Sequence, residues 1–222
     1  MLAFTNTEAI QPESDQDTYS LDQTSSPFWK RSFDLLVAGL VTLLILSWLF
    51  PLVGLLIRLT SRGPILYVQL RTGLNGKPFR CLKFRTMRHD FNNVTFRQAV
   101  HNDNRITPIG RFLRKTNLDE MPQFLNVLRG HMSIVGPRPH AVQHDAEFWF
   151  AIPGYPKRYD VIPGITGLAQ VRGARGLTDH PRKMEHRLRY DLFYIRTQSF
   201  AQDLLICWWT VKSTLLGDKN AW

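Results

Sequence analysis

The longest apolar segment of the chain covers residues 35–57 and contains no charged side chain. At a rise of about 1.5 Å per residue, a helix of this length could cross the roughly 30 Å hydrocarbon core of a membrane. Pro51 lies within the segment and has no amide hydrogen to donate to the carbonyl four residues earlier, so the helix is expected to kink or break there. The hydroxyl of Ser47, one turn back, can bond to the loosened backbone.

Both ends of this apolar segment carry basic side chains. Lys30 and Arg31 precede it, and Arg58, Arg62 and Arg71 follow it. Because basic flanks mark the cytoplasmic side of a membrane segment, both ends of this segment are predicted to lie on the cytoplasmic side. We therefore favour a re-entrant helix over residues 30–60, which enters one leaflet and returns, over a straight span. A secretory signal peptide is not expected, because the segment is too long, starts late and lacks a small-residue cleavage site.

Alternating hydrophobic and polar positions beyond this segment predict a β-hairpin. Its strands cover residues 65–71 and 78–84, and residues 73–76, Gly-Leu-Asn-Gly, form the turn. Residues 88–104 are polar and irregular, which predicts a long surface loop.

Helical spacing dominates the second half of the chain. Four apolar residues recur at this spacing and are followed by a glycine that can end the helix: Leu118, Met121, Leu125, Leu128 and Gly130. Residues 183–197 and 200–216 predict two further helices, and in the last one Trp208 and Trp209 beside Lys212 suit either a headgroup boundary or the protein core. The chain therefore predicts an α+β fold, a mainly helical domain with a small β-hairpin on an N-terminal re-entrant membrane helix.

Charge divides the chain into an acidic tail and a basic body. The 222 residues carry a net charge of +10, yet residues 1–29 contain Asp and Glu but no Lys or Arg. This tail is predicted to be disordered, and residues 61–222 suffice for one globular domain. A basic body attracts anionic lipid or nucleic acid. The apolar helix favours lipid, and the sequence has no helix-turn-helix, zinc-finger or aromatic RNA-binding pattern, so no nucleic-acid partner is expected.

Two cysteines, Cys81 and Cys207, lie far apart in the sequence and form no CxxC pair. They therefore indicate neither a disulfide framework nor a zinc site, and they fit a reducing cytoplasm.

Adjacent carboxylates at Asp119 and Glu120 are the sharpest chemical signal. Two neighbouring carboxylates can hold a divalent cation or divide the roles of nucleophile and metal ligand. A helix start beside them would also favour bound phosphate. Taken alone, acidic residues at a helix start are more simply explained by the helix dipole.

Several basic side chains could face the same anion. Arg138 is held in the rigid sequence Gly-Pro-Arg-Pro, while Lys83 and Arg85 occupy alternate positions of a predicted strand and so face one side. A structural turn and a solvent-facing strand are the plain alternatives. His140 and His144 have the spacing of a zinc pair, but the HExxH glutamate is missing and no third ligand is evident, so no zinc site is predicted.

Ordered motifs between Lys30 and Trp222 resemble those of the bacterial monotopic phosphoglycosyl transferases, the polyprenyl-phosphate hexose-1-phosphate transferases. The motifs are KRSFD before the apolar segment, KFRTM, DNRITPIGRFLRKTNLDEMPQFLNVLRG, MSIVGPRP, PGITGLAQVRG and YDLFYI. The resemblance implies a catalytic domain on the cytoplasmic face of the bacterial inner membrane. One departure concerns the membrane segment, where the family usually has Ser-Pro and this chain has Phe50 before Pro51.

The resemblance also implies roles for individual residues. Asp119 is the implied nucleophile, which attacks the β-phosphate of a UDP-hexose, expels UMP and forms a phosphosugar-enzyme intermediate that a lipid phosphate then attacks. Glu120 is implied as a ligand of a required Mg²⁺. The implied substrate-binding residues are Arg114, Arg138, Lys83, Arg85 and Asp191.

The implied substrates are UDP-hexose and undecaprenyl phosphate, and the product would start exopolysaccharide or O-antigen assembly. The C-terminal sequence resembles glucose-using members, with galactose-1-phosphate transfer as the alternative within the family and a non-catalytic membrane-surface scaffold as the alternative outside it. Larger relatives suggest a homodimer. Glucose-using members usually carry an N-terminal multi-span domain, which is not expected within these 222 residues.

Overall fold

The computed structural model describes residues 27–88, 103–174, 176 and 180–216. Most of the predicted acidic tail, and all but the ends of the predicted loop over residues 88–104, lie outside the described residues.

The described chain combines many helices with two small sheets, which confirms the mixed α and β class. Its helices are α1 (Phe28–Val41), α2 (Ser47–Thr60), α3 (Pro108–Lys115), α4 (Gln123–Leu128), α5 (Val142–Phe148), α6 (Leu168–Val171), α7 (Pro181–Thr197) and α8 (Phe200–Leu216). Its strands are β1 (Leu66–Thr72), β2 (Pro78–Phe84), β3 (Ser133–Val135) and β4 (Gly164–Thr166).

The N-terminal helix runs without interruption over Phe28–Thr60, 33 residues, and is long and apolar enough to cross a membrane. The prediction that the helix could break at Pro51 is wrong, because Pro51 lies inside α2. The irregular turn is instead the π-helical segment Thr42–Leu46. Side chains bond to its widened backbone, since Ser47 Oγ donates to the Leu43 carbonyl at 2.7 Å and Trp48 Nε1 donates to the Leu44 carbonyl at 2.9 Å.

One stripe of this long helix is buried along its whole length. The buried positions are Lys30, Asp34, Ala38, Leu46, Leu49, Val53 and Ile57. In an α-helix, each four-residue step drifts about 40° past a full turn, so such a stripe would wind away from the domain. A π-helical turn contains more residues, which brings the stripe back into line between Ala38 and Leu46. The opposite face exposes apolar side chains, among them Leu36, Leu43, Trp48, Leu55 and Leu59.

The basic residues before the apolar segment bind inside the domain. Lys30, 3% exposed, donates to the Val135 carbonyl at 2.8 Å and to Asp203 at 2.5 Å. Arg31 donates to the carbonyls of Val127 and Leu128 at the end of α4, at 2.8 and 3.1 Å. These two cations, used above as a membrane flank, therefore dock the start of the helix onto the domain.

The hairpin matches its prediction to within one residue at each strand end. β1 and β2 pair antiparallel from Leu66↔Phe84 to Thr72↔Pro78, and the turn places Asn75 and Gly76 at φ 53° and 72°. A second sheet, the parallel pair β3 and β4, was not predicted. Strands of three residues are too short for an alternating pattern to be recognised.

Both sheets and both halves of the N-terminal helix pack into the apolar core. One cluster joins α1, α4, β3 and α8 through residues such as Ala38, Val127 and Ile206. Another joins α2 to β2 and α3 through Ile57, Phe84 and Leu113. A third lies between α5 and α7. Because β2, α3 and α4 all rest on the N-terminal helix, that helix sets the position of the segments between them.

Replacing Lys30 with Met is expected to destabilise the fold strongly. Lys30 is the cation beside Asp203 and Asp34, at 2.5 and 3.9 Å, and its removal leaves two buried carboxylates uncompensated. Breaking a buried pair in this way costs about 3–5 kcal/mol, which corresponds to a fall of roughly 10 °C in the unfolding midpoint. Thermal unfolding in detergent measures it. Lys212→Met, an exposed lysine on α8, is the matched control, and equal midpoints would contradict the buried pairing.

Candidate active site

The adjacent carboxylates lie on a short turn between two helices. α3 ends at Lys115, Asn117 adopts a left-handed conformation with φ 57°, and the 3₁₀ turn Leu118–Glu120 follows. The predicted helix start at the acidic pair is therefore wrong by three residues, since α4 begins only at Gln123, after Pro122. Leu118 packs against the α2, β2 and α3 cluster. The chain thus turns its apolar side to the core while the two carboxylates point to the cations described next.

Glu120 is held by two cations from distant parts of the chain. Lys83 Nζ, near the end of β2, donates to Oε1 at 2.6 Å. Arg138 forms a forked contact, with Nη1 donating to Oε2 at 3.0 Å and Nη2 donating to Oε1. Burial alone would raise the pKa of Glu120, but Arg138 and Lys83 outweigh it and hold this pKa well below its usual range. Glu120 is therefore a fixed anion at the centre of the site.

Asp119 differs from its neighbour in its bonding. It is 8% exposed, and none of the hydrogen bonds that hold Glu120 has a counterpart at Asp119 among the described residues. Burial raises the pKa of Asp119, while the charges of Lys83, Arg114 and Arg138 act to lower it. The pair thus consists of one carboxylate committed to cations and one available to react.

Arg114 approaches the pair from α3. Its Nε donates to the Thr86 hydroxyl at 2.9 Å. Burial lowers the pKa of Arg114, and the negative charge of Asp119 acts to raise it, which reflects their proximity. Lys83, Arg114 and Arg138 therefore place three positive charges around two negative ones. The excess of positive charge favours the binding of a further anion.

The Gly-Pro-Arg-Pro loop is held in place by the buried ion pair of Arg158 and Asp191. Arg158, 1% exposed, donates to the Arg138 carbonyl at 2.9 Å and to Asp191 at 2.8 Å. Arg158 also donates to a ring nitrogen of His140 at 2.5 Å. Sequence reasoning missed Arg158, because nothing in Tyr-Pro-Lys-Arg-Tyr marks one of its two cations as buried.

Two predicted site residues lie away from the carboxylates. Asp191 is 2% exposed and reaches the site only through Arg158. Arg85 binds the segment just past the helix end at Thr60, donating to the carbonyls of Arg62 and Ser61 at 2.6 and 2.8 Å. The expectation that Lys83 and Arg85 face one side is wrong, because β2 ends at Phe84 and the alternation of a strand does not continue past it.

The histidine pair belongs to the packing beneath the loop. His140 and His144 stack with ring centres 5.3 Å apart, and His140 Nδ1 lies 2.9 Å from the Tyr155 hydroxyl. Burial and the charge of Arg158 hold the pKa of His140 well below its usual value, so the ring is neutral. No group of three or more His, Cys, Asp or Glu residues suited to hold a metal occurs within the described residues.

Comparison with known proteins relates this geometry to a family. Residues 25–217 match the family model described as bacterial sugar transferase. A UDP-glucose:undecaprenyl-phosphate glucose-1-phosphate transferase from Klebsiella pneumoniae is 49% identical over 183 residues, 82% of this chain and 39% of that protein. The exopolysaccharide production protein PSS of Rhizobium leguminosarum bv. phaseoli is 47% identical over 195 residues, 86% of this chain and 97% of that protein.

A more distant relative carries a different sugar in its name. The UDP-N-acetylgalactosamine-undecaprenyl-phosphate N-acetylgalactosaminephosphotransferase of Aeromonas hydrophila is 38% identical over 192 residues, 86% of this chain and 44% of that protein. The chain thus spans less than half the length of these two relatives, both of which are named for a sugar substrate.

Proposed function

The chain belongs to the bacterial sugar transferase family, and from this premise we propose that it transfers hexose-1-phosphate from a UDP-hexose to undecaprenyl phosphate, with release of UMP. Glucose is the proposed hexose, because the Klebsiella relative is named for UDP-glucose. Galactose or another hexose is the alternative within the family, and the Aeromonas name illustrates it. The observation that carries the proposal is the Asp119 carboxylate, which has no hydrogen bond within the described part of the chain and feels the charges of Lys83, Arg114 and Arg138.

The proposed reaction is a double displacement at one phosphorus. An Asp119 oxygen attacks the β-phosphorus of the UDP-sugar, the bond to the bridging oxygen breaks, and UMP leaves with that oxygen and its electron pair. An oxygen of the lipid phosphate then attacks the phosphosugar-enzyme, which frees the Asp119 carboxylate and forms the lipid diphosphate sugar. A carboxylate nucleophile divides one displacement into two, and fixed cations stabilise the phosphoryl oxygens in both.

Glu120 and Asp119 also provide donors that Mg²⁺ would accept. Mg²⁺ is usually bound through one or two carboxylates together with substrate phosphates and waters, so it does not need a cage of three protein ligands. Glu120, ionised and already at the centre of the cations, is the proposed ligand. When bound there, Mg²⁺ would offset charge on the diphosphate as UMP leaves. Lys83 and Arg138 hold Glu120 in this structure and are the proposed cations for the phosphate oxygens.

The proposed location is the cytoplasmic face of the bacterial inner membrane, with the N-terminal helix re-entrant. A straight helix of 33 residues would be about 50 Å long. Its start is docked through Lys30, and the residues just past its end are bound by Arg85, on one and the same domain. A domain outside the hydrocarbon core could not hold both ends of a spanning helix. The exposed leucines between the two ends therefore support shallow insertion into one leaflet, where a lipid phosphate lies at the headgroup level.

The product would start exopolysaccharide assembly, in keeping with the name of the Rhizobium relative. A homodimer stays a prediction, since the structure holds a single chain.

Asp119→Asn is expected to abolish UMP release. Wild-type protein with UDP-glucose, undecaprenyl phosphate and Mg²⁺ should release UMP, and a preparation trapped without lipid acceptor should carry a phosphosugar on Asp119, detected by mass spectrometry. An amide keeps the shape of the side chain but lacks the ionised oxygen needed for attack, so a loss of at least 10³-fold is expected. UDP-galactose run in parallel tests the sugar. Unchanged turnover by Asp119→Asn would exclude the covalent mechanism, whereas a wild-type protein that releases no UMP from any UDP-sugar would favour the scaffold alternative.

The acid limb of the activity profile should lie above the titration range of an ordinary aspartate. Burial raises the pKa of Asp119, and Lys83 acts to lower it. The attacking carboxylate must be ionised, so activity is lost as the pH falls through this raised pKa. Lys83→Met removes a lowering charge and should move the limb to higher pH in profiles of kcat/KM normalised to each maximum. Lys77→Met, exposed in the hairpin, should keep the wild-type limb. A Lys83→Met limb that stays in place or moves to lower pH contradicts the assignment.

Re-entry predicts that both ends of the N-terminal helix are labelled from the cytoplasm. Single cysteines at Ser32 and Arg62, both exposed, can be introduced into a Cys207→Ser background, where the remaining Cys81 is fully buried. A membrane-impermeant maleimide should label both sites in inside-out vesicles and neither in intact spheroplasts. Labelling of one site from each side would show a spanning helix.

A further inference from the structure

Thr86 makes a side-chain contact that the reaction above does not yet use. It follows Lys83, Phe84 and Arg85 after the end of β2 and is 6% exposed. Its hydroxyl accepts a hydrogen bond of 2.9 Å from Arg114 Nε. A hydrogen bond from a charged donor is among the stronger ones in proteins, and a buried partner makes it more so.

The backbone of Thr86 is immobilised on both sides. Its carbonyl accepts from the amide of Thr107 at 3.0 Å, at the start of α3. Gly110 of α3 lies so close that an added Cβ would be 2.0 Å from that carbonyl oxygen. Arg85, the preceding residue, is fixed to the end of the N-terminal helix. The hydroxyl of Thr86 is therefore a rigid acceptor, set by groups that do not depend on it.

The bond to Thr86 determines which edge of the Arg114 guanidinium remains for a ligand. Nε is occupied, whereas the hydrogen bonds of the described residues include none from Nη1 or Nη2. Two terminal nitrogens on a planar guanidinium form a fork that matches two oxygens of a phosphate. The backbone amide of Asn117 donates to the Arg114 carbonyl at 3.1 Å, and the short turn that carries Asp119 follows directly, so one tight turn joins Arg114 to the proposed nucleophile.

We propose that Thr86 is a positioning residue, whose hydroxyl holds Arg114 so that its terminal nitrogens face the diphosphate of the sugar nucleotide at Asp119. The proposal deepens the function proposed above and rests on it. Thr86 does not contact substrate itself. Its effect on the reaction passes through Arg114, which predicts that the two residues are energetically coupled.

A purely structural role for Thr86 makes a different prediction. Thr107, and not Thr86, caps α3, because Thr107 Oγ1 accepts from the Gly110 amide at 3.0 Å. The contacts of Thr86 that hold α3 are made by its backbone carbonyl and survive any change of side chain. Loss of the hydroxyl should therefore leave the fold in place and alter the reaction, whereas a structural role would lower stability without coupling to Arg114.

The first test compares Thr86→Val, which exchanges the hydroxyl for a methyl group, with Thr86→Ser, which keeps it. Thr166→Val is the matched control, since Thr166 is also 6% exposed and its hydroxyl contacts Thr210 of α8. UMP release should give a kcat/KM for UDP-glucose that falls about 10- to 100-fold in Thr86→Val, as expected for a misplaced contact group. Thr86→Ser and Thr166→Val should remain within about threefold of wild type. Equal losses in Thr86→Val and Thr86→Ser would overturn the proposal.

The decisive test is a double-mutant cycle with Arg114→Gln. If Thr86 acts through Arg114, Thr86→Val should cost less than about twofold in the Arg114→Gln background. Additive losses would overturn the proposal. Thermal unfolding of each variant separates folding from function, and Thr86→Ala repeats the cycle should Thr86→Val unfold. A wild-type protein that releases no UMP would refute the function itself, whereas an active wild type with additive losses would refute only the role of Thr86.

Discussion

Docking of the N-terminal helix along the domain is the constraint on which the rest of the structure depends. The helix contributes a continuous buried stripe, and it holds that stripe straight by a π-helical turn at Thr42–Leu46. Lys30 fixes one end to Asp203, and Arg85 binds the carbonyls of Ser61 and Arg62 just past the other end. Apolar packing supplies the area between these ends, while the buried polar contacts allow only one register of the helix. Such contacts add little net stability, but they exclude alternative dockings, because each would leave a charge unpaired.

This docking sets the distances within the site. Lys83 comes from the hairpin, Arg114 and the acidic pair from α3 and the turn after it, and Arg138 from the loop after β3. These segments meet only because each packs on the helix or on a neighbour of it. The resulting charge balance explains the different states of two adjacent carboxylates. Glu120 receives two cations and is held ionised, whereas Asp119 feels the same charges at longer range and keeps an unbonded carboxylate.

Local patterns predicted the hairpin, the two C-terminal helices and the acidic pair, because each depends on residues close in sequence. Gly-Leu-Asn-Gly between alternating strands, for example, specifies both turn and register. The misreadings came from long-range contacts. Lys30 and Arg31 looked like a membrane flank, since the partner of Lys30 lies 173 positions away at Asp203. Arg85 was expected to face the same side as Lys83, because the end of β2 at Phe84 depends on tertiary contacts that the sequence does not show. Its contact with substrate stays a prediction. Arg158 carried no local signal, because its environment is assembled from α7 and the loop that contains Arg138.

Arg85 and Thr86 are two consecutive residues that link the N-terminal helix to the candidate active site. Past the end of β2 their side chains no longer alternate across a sheet, and they diverge, one to the end of the helix and the other to Arg114. Arg114 is thereby held at a fixed height above the helix end. If that end rests at the headgroup level, as proposed, the same two contacts would hold the terminal nitrogens of Arg114, the proposed phosphate contact, near the depth of a lipid phosphate. The proposed lipid acceptor could then react without leaving the membrane. The segment KFRTM fixes Arg114 relative to the helix end, so the phosphate and the site would already be close together.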